Sequence, residues 1–125
     1  MPNPREELMT KDNLQQIVID ALEDMKAREI TTLDVRDMTT IADTMIIASG
    51  TSDRHVRSLA DSVIEHARTA GYRPLGVEGQ NEGEWVLVDL QDIIVHLMLP
   101  KVRDFYNLEK LWAPAREPDL ASVDG

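Results

Sequence analysis

From Trp85 to Leu99 the chain reads WVLVDLQDIIVHLML, two apolar runs joined by Gln91-Asp92. Side chains alternate across a strand, and so short a link forces an antiparallel hairpin. Val86, Val88 and Leu90 fall on one face of the first run, and Ile93, Val95, Leu97 and Leu99 share one face of the second. The first face is wholly apolar and must be covered by helices. The opposite face is mixed: Trp85, Leu87 and Asp89 on one strand, Ile94, His96 and Met98 on the other. Pro100 ends the ladder, because proline has no N–H to donate.

The remaining segments supply what this hairpin needs. Leu14, Ile17, Val18, Ala21, Leu22 and Met25 recur at helical spacing, with Asp12 or Asn13 as the expected cap. Residues 1–10, with Pro2 and Pro4, read as a flexible lead ahead of a single domain over 11–112. Thr31 to Val35 is a short strand, and Thr44 to Ala48 a more buried one. Ser49-Gly50-Thr51-Ser52 turns into a second helix with Val56, Leu59, Ala60, Val63, Ile64 and Ala67 on one face, stopped by Gly71. A third strand surrounds Leu75 to Glu78, residues 79–84 turn, and Lys101 to Trp112 reads as a last helix. The polar, proline-bearing residues 113–125 read as a disordered tail. The order α-β-β-α-β-β-β-α predicts an α/β fold: a single mixed sheet of about five strands with flanking helices.

Composition narrows the function. With 13 Lys and Arg against 23 Asp and Glu, the formal charge is −10, and phosphate backbones repel such a surface. Direct, sequence-specific nucleic-acid binding is therefore not expected. A basic protein partner would be steered towards it. The absence of cysteine removes disulfides, thiolate metal sites and cysteine nucleophiles. The run Ile93 to Leu99 is too short to cross a bilayer. The N-terminus carries neither an apolar signal core nor a basic, acid-poor transit pattern, so a cytoplasmic location is expected.

No catalytic constellation emerges. The Ser49-Gly50-Thr51-Ser52 turn lacks the lysine and spacing of a phosphate-binding loop, and its hydroxyls suit helix capping. Nucleotidyl transfer needs two neighbouring carboxylates for Mg²⁺, but Asp34 is followed two places on by Arg36, and Asp89 by Gln91. His55 and His66 lie about three helical turns apart and cannot share an ion. His96 alternates with aliphatics and reads as a structural residue, with Asp89 across the hairpin as its expected partner. No cofactor and no metal are expected, and the chain does not read as an enzyme.

A set of ordered motifs carries a family resemblance. Asp43 stands ahead of MIIASGTS (45–52), followed by Arg54-His55-Val56. Then come PLGVEG (74–79), WVLVD (85–89) and VHLM (95–98), and Arg103 with YNLEKLW (106–112) closes the series. Over about residues 12–112 the chain closely resembles the ribosomal silencing factor family, also called Iojap-like. The resemblance implies a nucleotidyltransferase-like α/β fold without transferase activity. It implies a translation repressor, acting when nutrients are scarce, that binds the large ribosomal subunit through ribosomal protein fourteen and blocks joining of the small subunit. Homodimers are a further expectation.

A docking surface then follows. Rim carboxylates such as Glu78, Glu82 and Glu84 would orient a basic partner. Trp85, Leu87 and Met98 would form a desolvated centre, with Asp89 beside them. Tyr106, Glu109 and Lys110 on the last helix would border it. Two readings of Trp85 stand at this point: an anchor facing the partner, or a core residue beneath the last helix. Two other uses of the chain also remain open. One is a divergent nucleotidyltransferase-like nucleotide-binding protein using the Gly50-Thr51-Ser52 turn and Asp89. The other is a dimerisation module whose open sheet face pairs with itself.

Overall fold

The structure is a computed structural model that describes the backbone of residues 4–112 and the side chains of residues 13–112. The elements are α1 (Pro4–Asp24), β1 (Arg28–Asp34), β2 (Thr44–Ser49), α2 (Asp53–Thr69), β3 (Gly76–Glu78), β4 (Trp85–Asp89), β5 (Ile93–Met98), α3 (Pro100–Tyr106) and α4 (Leu108–Leu111). Five strands form one sheet in the order β1-β2-β5-β4-β3. The central β2–β5 pair is parallel and the other pairs are antiparallel, so the sheet is mixed, and β3-β4-β5 is the expected meander.

The hairpin closes with Trp85 opposite Met98 and Asp89 opposite Ile94. Its turn is tight: Leu90 N–H donates to the Ile93 carbonyl at 2.8 Å, and Gln91 takes a left-handed φ of 77°. A non-glycine residue there costs on the order of 1 kcal/mol. Asp89 offsets part of that cost, since its carboxylate accepts the Gln91 N–H at 2.9 Å.

The two faces are covered unequally. On one, α1 contributes Val18, Ala21 and Leu22, and α2 contributes Val56, Leu59, Ala60, Val63, Ile64 and Ala67; they bury Ile46, Ala48, Val86, Val88, Val95 and Leu97. Each buried Val, Leu or Ile side chain contributes about 1.5–3 kcal/mol. The other face holds a smaller cluster of Val35, Met45, Ile47, Met98 and Leu108, flanked by Leu33, Trp85, Val102 and Trp112. Among the described residues, only the short α3 and α4 contribute helical residues there.

Local chemistry fixes α2 at both ends. The Ser52 hydroxyl accepts the His55 N–H at 3.1 Å. Gly71, at φ 93°, closes the other end, its N–H reaching the Arg68 carbonyl while Tyr72 N–H reaches that of Ala67. These paired bonds satisfy carbonyls that the helix leaves open.

Two helix boundaries differ from the sequence reading. The first helix begins at Pro4 rather than at Asp12 or Asn13, so most of the expected lead is helical. Proline suits the first helical position, whose N–H has no intrahelical partner, and residues 5–11 hold no glycine or further proline. The expected single helix from Lys101 to Trp112 is two helices, broken at Asn107, which adopts φ 49°. Asparagine tolerates that conformation better than other non-glycine residues. The expected tail at 113–125 lies outside the described residues.

The turn before β4 admits one residue type at Gly79. Its φ is 87°, and an added Cβ would lie 2.0 Å from the Trp85 carbonyl oxygen. Gly79→Ala should lower the unfolding free energy by roughly 3 kcal/mol in urea titration. Gly76→Ala, whose Cβ would meet nothing within 4 Å, should change it by less than about 1 kcal/mol.

Candidate protein interface

Trp85 sits where the thinly covered face meets α3. Its indole Nε1–H donates to His96 Nδ1 at 2.9 Å. The Tyr106 ring lies against it, centroids 4.9 Å apart and planes tilted by 47°. The indole is half-buried, packed against the smaller cluster. Trp85 is thus both packed by the last helices and accessible at one side, between the two readings its sequence left open.

This hydrogen bond corrects the expected pairing of His96 with Asp89. In the register His96 lies opposite Leu87, and Asp89 opposite Ile94. The Asp89 carboxylate serves the Gln91 turn instead. His96 is 6% exposed, and burial lowers its pKa to about 4. The ring is therefore neutral near pH 7, as an acceptor for the indole must be.

Arg103 holds α3 in place. Its side chain is 4% exposed and forks three ways: Nε to Glu109 Oε1 at 2.7 Å, Nη1 to Ser49 Oγ at 2.8 Å, and Nη2 to Thr31 Oγ1 at 3.1 Å. One guanidinium therefore ties β1, β2, α3 and α4 together. The hydrogen bond from Arg103 pulls the Glu109 pKa below its ordinary value. Arg103 is part of a recognisable motif, but its sequence position gives no sign that it is buried.

The expected surface residues separate into three groups. Leu87 and Asp89 are half-buried on the thinly covered face, and Glu78 is exposed on the neighbouring strand. Tyr106 is 54% exposed and Lys110 is exposed, while Glu109 is engaged by Arg103. Met98 is 0% exposed, which corrects its expected place at the docking centre: it packs beneath Trp85 as support. The expected docking set left out the exposed apolar side chains Phe105 and Leu111, and also half-buried Ile94, which alternation had placed on this face. Phe105 packs edge-on to Tyr106 with centroids 5.0 Å apart, so the aromatic surface extends along α3.

The parts of a transferase site do not converge. Thr51 N–H is taken by His55 Nδ1 at 2.8 Å, and Ser52 caps α2. Ser49, just before the turn, pairs with β2–β5 neighbour Met98, whereas Asp89 pairs with Ile94. Those positions on β5 are about 13 Å apart at strand rise. Among the described residues no three His, Asp or Glu side chains are grouped to hold a metal ion, and no helix is long and apolar enough to cross a membrane.

Two stability effects follow. Arg103→Ala should destabilise by roughly 3 kcal/mol in urea titration, because it strands Glu109 and loosens α3 and α4. Glu109→Gln, which keeps an acceptor, should cost only about 1 kcal/mol. Below pH 6.5 the unfolded chain takes up a proton at residue 96 that the folded chain refuses until about pH 4. Stability should therefore fall as pH drops through that window, by on the order of 3 kcal/mol. His96→Asn should lose less across the same window when unfolding midpoints at pH 7 and pH 4.5 are compared.

Comparison with known proteins places the chain in a family. A family described as "Ribosomal silencing factor during starvation" matches residues 8–124. The chain is 43% identical over 113 residues to ribosomal silencing factor RsfS of Chromobacterium violaceum, covering 90% of this chain and 92% of that protein. It is 42% identical over 100 residues to the Haemophilus influenzae RsfS, covering 80% of this chain and 98% of that one. A crystal structure of a Chromobacterium violaceum protein superposes with a TM-score of 0.81 at 44% identity, covering 84% of this chain and 88% of that chain. With the family profile spanning nearly the whole chain and the fold shared at that identity, this protein belongs to the ribosomal silencing factor family, whose members are not enzymes.

Proposed function

We propose that this protein docks its thinly covered sheet face on the large ribosomal subunit, through ribosomal protein fourteen, and that its bulk then prevents the small subunit from joining. One observation carries the reading: a half-buried indole, Trp85, is held on a face bearing Leu87, Ile94 and Tyr106, with Glu78 and Glu84 exposed at its margin. Tryptophan and tyrosine are frequent interface anchors, and an apolar centre with a charged rim is common interface anatomy. The family description supports ribosomal silencing under starvation. A formal charge of −10 suits encounter with a basic ribosomal protein.

The mechanism requires no bond making. Trp85 and Leu87 supply apolar contact, and Tyr106 extends it along α3. The rim carboxylates speed encounter and set orientation. Occupancy follows the ratio of free factor to its dissociation constant. The repressor works in the cytoplasm, where subunits exchange. Exposed Phe105 and Leu111 lie next to this face and favour self-association, which would compete with docking.

Sucrose-gradient sedimentation of mixed subunits tests the reading: saturating protein should deplete whole ribosomes, and undiminished ribosomes would sink it. Leu87→Arg, at a half-buried surface position, should weaken large-subunit binding by about tenfold or more with little change in the unfolding midpoint. Glu78→Lys should slow association chiefly at low salt, the effect fading as ionic strength rises.

A further inference from the structure

His96 has one ring nitrogen to spare. Its Nδ1 accepts the Trp85 indole N–H at 2.9 Å, so Nδ1 carries no proton. A neutral imidazole then carries its proton on Nε2. Among the described residues Nε2 meets no acceptor, although the residue is 6% exposed. Among the described residues no buried side-chain nitrogen or oxygen lacks a partner, so Nε2 lies where solvent reaches it. His96 sits opposite half-buried Leu87 and two places from half-buried Ile94, on the thinly covered face.

We propose that His96 is a specificity-determining donor: its Nε2–H meets a main-chain carbonyl of the docked partner at the centre of the interface, and Trp85 fixes the tautomer that makes this possible. The inference rests on the docking reading above and names a contact within it. Docking removes water from Nε2, and a stranded donor opposes binding. The partner must therefore place an acceptor there. A lysine or arginine head is a donor and finds no match; cationic groups go to the rim carboxylates instead. Apolar centre, neutral donor and acidic rim thus select three different features of one partner. Burial keeps the ring neutral at working pH, with a pKa of about 4, so the donor pattern is constant near neutrality.

The test uses the full chain and purified large ribosomal subunits at neutral pH. In His96→Asn the amide oxygen replaces Nδ1 as acceptor for Trp85, but nothing replaces Nε2–H. In His96→Gln the amide nitrogen reaches towards the Nε2 position. Binding should weaken about tenfold in His96→Asn and recover to within about threefold of the parent in His96→Gln. Indole emission and unfolding midpoints check that both variants stay folded. Binding of folded His96→Asn within twofold of the parent overturns the proposal. So does nitrogen NMR of the parent protein showing the Nδ1–H tautomer, a readout that needs no variant. Failure of the parent to bind large subunits at all overturns the docking reading itself.

Discussion

Everything distinctive about the second face depends on the buried guanidinium of Arg103. Two short helices of seven and four residues cannot hold themselves in place, because isolated helices of that length are unstable in water. Arg103 supplies the missing constraint with three hydrogen bonds that reach two strands and α4. The cost of burying a cation is met by Glu109 and two hydroxyls, Ser49 and Thr31. With α3 fixed, Tyr106 lies against Trp85, and with Trp85 fixed, His96 has its indole donor. The chain of dependence runs from one buried charge to one exposed aromatic edge.

The two faces of the same sheet are therefore built differently. One is sealed by long helices and supplies most of the stability. The other carries a minor cluster, just enough to brace Met98 and Trp85 from beneath. A fully covered second face would add burial energy but leave nothing for a partner to contact. Phe105, Tyr106 and Leu111 stay exposed at its margin, a pattern that stability alone does not reward.

Much of this was legible in the residues. Alternation in Trp85 to Leu99, with its short link, gave the hairpin and the split between faces, because period-two patterning is a local property. Helix α2 was legible through Ser52 and Gly71, which act on backbone groups within a few positions. The misses have different causes. The start at Pro4 and the Asn107 break had local signals that the apolar spacing outweighed, whereas the partner of His96 depends on cross-strand geometry that local pattern does not encode. His96 and Trp85 meet on a diagonal across the ladder, whereas the directly opposite residue is Leu87. Asp89 looked like a partner for histidine and instead braces its own turn. Arg103 and Thr31 are 72 positions apart, so no local pattern joins them. Met98 was placed on the correct face, but patterning assigns faces and does not measure depth.

Depth is what separates docking from support on that face. Met98, Met45 and Ile47 are buried and shape the floor, while Leu87, Ile94 and Trp85 rise from it half-buried. In the proposed docking, a partner meets the second set and is held in register by the rigidity of the first. Such a surface needs no moving part: a rigid face lowers the ordering cost of association, since its anchors are already in their bound arrangement. Steric repression asks for little more than this. The factor must reach its site quickly, sit in one orientation, and occupy space that another body needs. In the proposed mechanism, charge provides the first, the packed aromatic anchor the second, and the two long helices on the opposite face the third.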